Sequence, residues 1–224
     1  MFTLSGRNLL LTKLHLFQIK PKKKISHVNM LRSCKYFLPI QTRWSDNDQY
    51  GHVNNAVYYE LMDTIINNYL IWYCGLKVNR PDSSEIGFMV KTKFKYNKPI
   101  QYPEIVLGGL NVQKVGRSSV HYQVHIFQAK ENFCSEKGCG HNDLLKCDPF
   151  IKIGFRGQVL LETQPDLINH YQMLENDFFS KSGAVGEAVH VFVDPTSQKP
   201  IAMSSKIKNG LLNLVSNSIS SNKL

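Results

Sequence analysis

The sequence predicts an α+β fold in which one long helix precedes a run of antiparallel strands. Three observations carry this expectation. Val57, Tyr58, Leu61, Met62, Ile65, Ile66, Tyr69, Leu70 and Tyr73 recur at spacings of three and four, an apolar stripe wide enough for a mostly buried helix. Three segments of strand character follow, 87–96, 104–114 and 118–128, parted by turns at 97–103 and 115–117. In the last of them Val120, Tyr122, Val124 and Ile126 alternate with Ser119, His121, Gln123 and His125, so one face is expected to pack and the other to be wet.

Taken in order, residues 1–32 read as a basic arm, Leu-rich and free of acids. That composition suits a mitochondrial transit peptide, although serines and arginines are few and the charge is concentrated in Lys22, Lys23 and Lys24. A leader without structure before Met30 is the other reading, so a mitochondrial and a cytoplasmic location both stay open. Residues 36–44 read as a strand whose Pro39 suits a sheet edge. Asn54 or Asn55 can cap the helix, because a short side-chain oxygen accepts from the free amides of the first turn. Gly75 is its natural stop, and Cys74 beside it reads as a packed apolar group. The run 184–194 reads as a last strand, and 204–224 as a polar tail with a weak amphipathic helix near 211–215.

Residues 129–183 interrupt this scheme. They hold Cys134, Cys139, His141 and Cys147 in the order C-x4-C-x-H-x5-C, four zinc-type ligands whose spacing matches no standard zinc pattern, so an irregular surface loop is the expected reading. Within the interruption 151–161 suggests a strand and 165–179 a short helix.

The 224 residues and 42% hydrophobic content fit one core with additions. Five cysteines without a secretory leader argue against a disulfide scaffold. The net charge of +10 is not spread over the chain. Residues 1–45 hold nine basic and no acidic side chains, which leaves 18 basic against 17 acidic residues elsewhere. Basicity therefore belongs to the arm, and no nucleic-acid partner is expected of the domain. No apolar run approaches the ~20 residues of a membrane-spanning helix, so no membrane insertion is expected.

The chemistry concentrates where the loop Trp44–Asn54 feeds the helix. A helix start presents unpaired amides and a partial positive charge of about half an electron. Asp46 and Asp48 bring carboxylates to that spot. A carboxylate beside amide donors can attack an acyl carbon or activate water while the donors hold oxyanion charge. The plainer reading is that both aspartates only bond turn amides.

The pattern D-x-D-x-x-G-H-V-N-N-x-x-Y, carried by Asp46, Asp48, Gly51, His52, Val53, Asn54, Asn55 and Tyr58, resembles the signature of hot-dog-fold acyl-CoA thioesterases of the 4-hydroxybenzoyl-CoA thioesterase family. V-G-R-S-S-x-x-Y from Val115 to Tyr122 and A-V-G-E-A-V-H-V-F-V-D from Ala184 to Asp194 resemble its later strands. The likeness covers roughly 36–128 and 184–203. It implies a hot-dog fold, a sheet wrapped around the central helix in a domain spanning 33–203 apart from the interruption. It also implies hydrolysis of an acyl-CoA with Asp48 as nucleophile or general base. Gly51, His52 and Val53 would supply donors, with Asn55 beside the substrate and Arg117, Ser118 and Ser119 on the CoA phosphates. It implies no metal or other cofactor, and a homodimer or homotetramer whose interface completes the site. Glu60 and Asp63 on the helix are weaker candidates for the acid. Hydration of an acyl-CoA, or binding without turnover behind a disabling insertion, are the competing readings.

Overall fold

The central helix forms where the periodicity places it. In the computed structural model, which describes residues 29–78, 82–130, 159–160 and 167–215, α1 spans Asn55–Cys74. Its N-cap is Asn54, whose side chain accepts from the Ala56 amide at 2.9 Å. Gly75 ends it at φ 69°, a left-handed conformation that costs a residue without a side chain little. Val57, Tyr58, Leu61, Met62, Ile65, Ile66, Tyr69, Leu70 and Cys74 are buried, while Tyr73 is only partly so.

Six strands form one sheet with every pairing antiparallel. They are β1 (Tyr36–Gln41), β2 (Ile86–Tyr96), β3 (Ile105–Val115), β4 (Ser119–Gln128), the two-residue β5 (Val159–Leu160) and β6 (Ala184–Val193). Their order is β2-β6-β4-β3-β1-β5. Four of the expected strands appear with shifts of at most one residue at either end, while the first stops at Gln41 instead of running to residue 44; of the strand expected over 151–161 only Val159–Leu160 is seen, and 151–158 and 161 lie outside the described residues. Pro39 sits on β1 opposite Leu107, and its other side lies beyond the two-residue pairing with β5. The inner face of the sheet, including Val120, Tyr122, Val124, Ile126, Ala188 and Phe192, packs on α1 as one cluster. Gly186 allows that approach: a Cβ there would lie 2.9 Å from the Met62 sulfur. Lys91, Lys93 and Lys95 are exposed on β2, the edge strand of the sheet.

Two expectations are corrected. The outer face of β4 is not uniformly wet: His125 and Phe127 are buried. The helix α2 (Leu167–Asp177) lies over that end, and Leu174 and Phe178 close a second apolar cluster with Leu31, Phe37, Leu107 and Phe127. The segment from Asn29 thus belongs to the fold, tied down by Arg32, which pairs with Glu175 across the exposed surface. Nor does a polar tail begin at 204. Helix α3 (Ser205–Asn213) buries Ile207, Leu211 and, just beyond it, Leu214, and its Gly210 carbonyl accepts from the Tyr69 hydroxyl at 2.5 Å. The buried Glu85 carboxylate accepts from the Ser204 amide at 3.0 Å and fixes where α3 starts. The expected weak helix near 211–215 thus starts earlier, at Ser205, where the mixture of Ser, Asn and Lys leaves only one narrow stripe apolar.

Cys34 and Cys74 are buried free thiols, and burial pushes both up to about 12, which makes them poor nucleophiles. The C-x4-C-x-H-x5-C stretch lies outside the described residues, as do residues 1–28. No helix among the described residues is long and apolar enough to cross a membrane.

Candidate active site

The loop that enters α1 is built from two consecutive turns. In the first, a short 3-10 helix at Trp44–Asp46, the Asp46 carboxylate accepts from the Arg43 amide at 2.7 Å and from its guanidinium at 2.8 Å. Asp46 is 2% exposed, and its carbonyl accepts from the Asn54 amide at 2.8 Å. Among the described residues its hydrogen bonds go to Arg43 and Asn54, at the two ends of the loop. Asp46 therefore orients the loop, as the turn chemistry of a short acidic side chain allows.

In the second turn Asp48 is half-buried and differently used. Its Oδ1 accepts from the Tyr50 amide at 2.8 Å and the His52 amide at 3.3 Å. Its Oδ2 has no hydrogen-bond partner among the described residues. Gly51 turns the chain at φ 78°, and the Asp48 amide closes the turn on the His52 carbonyl at 2.8 Å. Beyond it the Val53 amide donates to the Ile100 carbonyl at 2.7 Å, and the Tyr102 amide to the Asn47 side chain at 3.1 Å. These bonds tie the loop to the segment between β2 and β3.

A cleft of about 550 Å³ opens at this junction, with Asp48, His52, Val53 and Asn55 on one wall. Tyr58 and the end of β2, Tyr96 to Pro99, form the other. Burial pushes the Tyr58 phenol up, partly offset by a hydrogen bond from the Ile100 backbone, and burial also raises Tyr96. Both remain neutral near pH 7. The Tyr96 hydroxyl reaches the Asn55 carbonyl at 3.4 Å.

The structure redistributes the expected donors. The Gly51 amide is spent on the Asp48 carbonyl at 3.1 Å, the His52 amide on Asp48 Oδ1, and the Val53 amide on Ile100. None of these three is a free donor. One residue into the helix, the Asn55 amide has no partner among the described residues, and Asn55 lines the cleft. The His52 ring also makes no hydrogen bond among the described residues. Of the aromatic residues on α1 only Tyr58 lines the cleft, because Tyr69 packs against the sheet. Glu60 pairs with Arg43 at 3.3 Å on the solvent side, and Asp63 accepts from the Asn67 side chain at 3.0 Å; neither lines the cleft.

Arg117, Ser118 and Ser119 do not join Asp48 within one chain. They occupy the β3–β4 turn beside the Val115–Val120 pair, whereas the cleft lies near the far end, where Val106 pairs with Gln128. Ten residues of strand, roughly 30 Å, separate the two ends. Sequence reasoning in turn missed Tyr96, Asn97 and Pro99 as cleft residues, since they are more than forty positions from Asp48; the turn residues Asn97 and Pro99 were the available signal.

A sheet packed on one long helix, which starts at a cleft lined by a carboxylate, is the hot-dog architecture that the resemblance implies. Residues 50–135 match the family model of the thioesterase superfamily. Among solved structures, the chain resembles the PA5185 protein of Pseudomonas aeruginosa at 30% identity and a TM-score of 0.58, over 83% of this chain and 95% of that one. A 1,4-dihydroxy-2-naphthoyl-CoA thioesterase from Synechocystis shares the fold at 10% identity and a TM-score of 0.52, over 80% and 96%. No curated protein matches the chain. The chain belongs to the hot-dog thioesterase superfamily and is a thioester hydrolase.

Proposed function

We propose that the protein hydrolyses an acyl-CoA thioester, fatty or otherwise, to the free acid and CoA, with Asp48 as its acting carboxylate. One observation carries this reading: Asp48, with one oxygen unbonded among the described residues, and Asn55, whose amide at the α1 N-terminus is unbonded among them, line the same cleft. The Asn55 amide and the helix dipole would hold the thioester oxygen as it gains charge. Asp48 would then act in one of two ways. As nucleophile it bonds to the acyl carbon and expels the CoA thiolate, and water later cleaves the anhydride and restores the carboxylate. As general base it takes a proton from the water that attacks the same carbon. The two bonds from Tyr50 and His52 hold Oδ1 and leave Oδ2 for either role.

The edge strand β2 carries the exposed Phe88, Val90 and Tyr96, and the exposed Tyr59 of α1 lies close by. Such an apolar edge beside the cleft supports pairing with a second copy. In that reading Arg117, Ser118 and Ser119 reach a CoA phosphate only from another copy. Sedimentation of the active enzyme checks it, with a monomer as the result that removes it.

Hydrolysis of a panel of acyl-CoAs by wild type and by Asp48→Asn tests the assignment. The substitution keeps the shape, removes the charge, and is expected to lower kcat by about 100-fold or more. Unchanged turnover would take Asp48 out of the mechanism. Single turnover in ¹⁸O-water bears on the two roles: label in the Asp48 carboxylate identifies the nucleophile, with water attacking the aspartyl carbon of the anhydride, whereas the general base puts all label in the acid product.

A further inference from the structure

A second cleft, of about 310 Å³, adjoins the first, and Asn97 and Lys98 line both. Its remaining lining comes from Gln128 and from the segment that leads out of α2, including Phe179 and Lys181. This segment lies within 129–183, the stretch that interrupts the family likeness.

The walls are fixed by the backbone. The Asn97 and Lys98 amides both donate to the Gly183 carbonyl, at 2.7 and 2.9 Å, and the Phe179 amide donates to the Gln128 carbonyl at 3.1 Å. The Gln128 side chain is held by Pro99 and Glu104. A Cβ at Gly183 would stand 3.1 Å from Gln128 Oε1, so glycine lets this segment lie close to β4. On this frame the Lys98 ammonium sits 5.0 Å over the Phe179 ring, and Phe179 stays 39% exposed. Lys98 and Lys181 are exposed, and neither is in an ion pair among the described residues. Among the described residues no carboxylate lines the cleft.

Two ammonium groups without counter-charges beside an open aromatic face are the complement of a phosphorylated purine. The phosphates find cations, and the base finds a ring on which to stack. CoA carries such a group, a 3′-phosphorylated adenosine diphosphate, at the end remote from its thioester. We infer that the cleft formed by Lys98, Phe179 and Lys181 binds the phosphorylated nucleotide end of the CoA thioester. The inference rests on the acyl-CoA reading of the Asp48 cleft. It places nucleotide recognition on the same chain as Asp48 and gives the interrupting segment a share in substrate binding.

The test compares an acyl-CoA with the matching acyl-pantetheine, which has the same thioester and no nucleotide. Lys181→Glu is expected to raise KM for the acyl-CoA about 10-fold, with kcat and the acyl-pantetheine kinetics changed by less than about twofold. Equal effects on both substrates, or no effect on either, would overturn the inference. Calorimetry with adenosine 3′,5′-bisphosphate supplies a readout independent of turnover. Binding to wild type that weakens about 10-fold in Lys181→Glu and also falls in Phe179→Ala supports the site. No binding to wild type, or binding indifferent to both substitutions, refutes it. A wild type that binds the bisphosphate yet hydrolyses no thioester would count against the hydrolytic reading of Asp48 and leave this cleft standing.

Discussion

The two turns of the loop entering α1 each present an aspartate, and the two are used in opposite ways. Asp46 is 2% exposed, and Arg43 takes both of its oxygens. Asp48, two residues on, is half-buried, lines the cleft, gives one oxygen to turn amides and leaves the other unbonded among the described residues. The residue type is the same, so the role is set by how many lone pairs the fold consumes. A carboxylate with every acceptor site engaged by its own loop holds shape, and one with an acceptor to spare can take part in chemistry.

This contrast predicts a crossed pattern. Asp48→Asn is expected to lose about 100-fold or more in kcat while its denaturation midpoint stays close to wild type. Asp46→Ala is expected to do the reverse. Without its carboxylate the Arg43 amide and the first turn lose their anchor, at about 2 kcal/mol, most of it from the unmade amide bond because the Arg43 head group is exposed and screened. Turnover per folded molecule should stay within a few fold, since Asp46 does not line the cleft. Urea titration and active-site titration of both variants measure the pattern. A destabilised Asp48→Asn paired with an inactive but stable Asp46→Ala would break the assignment.

The same contrast shows what the sequence reveals and what it conceals. Helix α1 was legible because nine buried residues repeat at helical spacing and a capping Asn and a stopping Gly bracket them. The positions of Asp46 and Asp48 were legible too, but their division of labour was not. That depends on whether Arg43 folds back over its own turn, a matter of three-dimensional geometry. Donor assignment failed for a related reason. Gly51, His52 and Val53 look free in a sequence, yet two close the turn and the third is claimed by Ile100, nearly fifty residues away. The burial of His125 was hidden because its partner Ser182 comes from within the interruption, and period-two alternation says nothing about a later segment folding over the polar face. The resemblance marked 184–203 as its last stretch, and α3 lies beyond that mark.

Acid offers a third way to separate architecture from chemistry, because it strikes stability at sites remote from Asp48. His125 and His190 are 4% and 2% exposed, and burial lowers each to about 4, with Asp63 pulling His190 slightly back. The rings of both are neutral in the fold. His125 has partners at both nitrogens, Ser182 and Gln123, at 3.2 Å each, while His190 Nδ1 has none among the described residues. In the unfolded chain a histidine takes its proton near pH 6.5, so between about 6.5 and 4 the unfolded state binds protons that the folded state refuses. Stability is therefore fully present above this window and is lost as pH falls through it, by about 2 kcal/mol per histidine between pH 7 and pH 5. His190→Phe removes one titrating ring and the unpartnered nitrogen together, and is expected to flatten the pH dependence by about half while leaving Asp48 in place. Urea midpoints of wild type and His190→Phe at the two pH values measure this. A wild-type midpoint that does not move between them would show that these rings are not held neutral, and acid loss of activity would then have to be sought in the cleft.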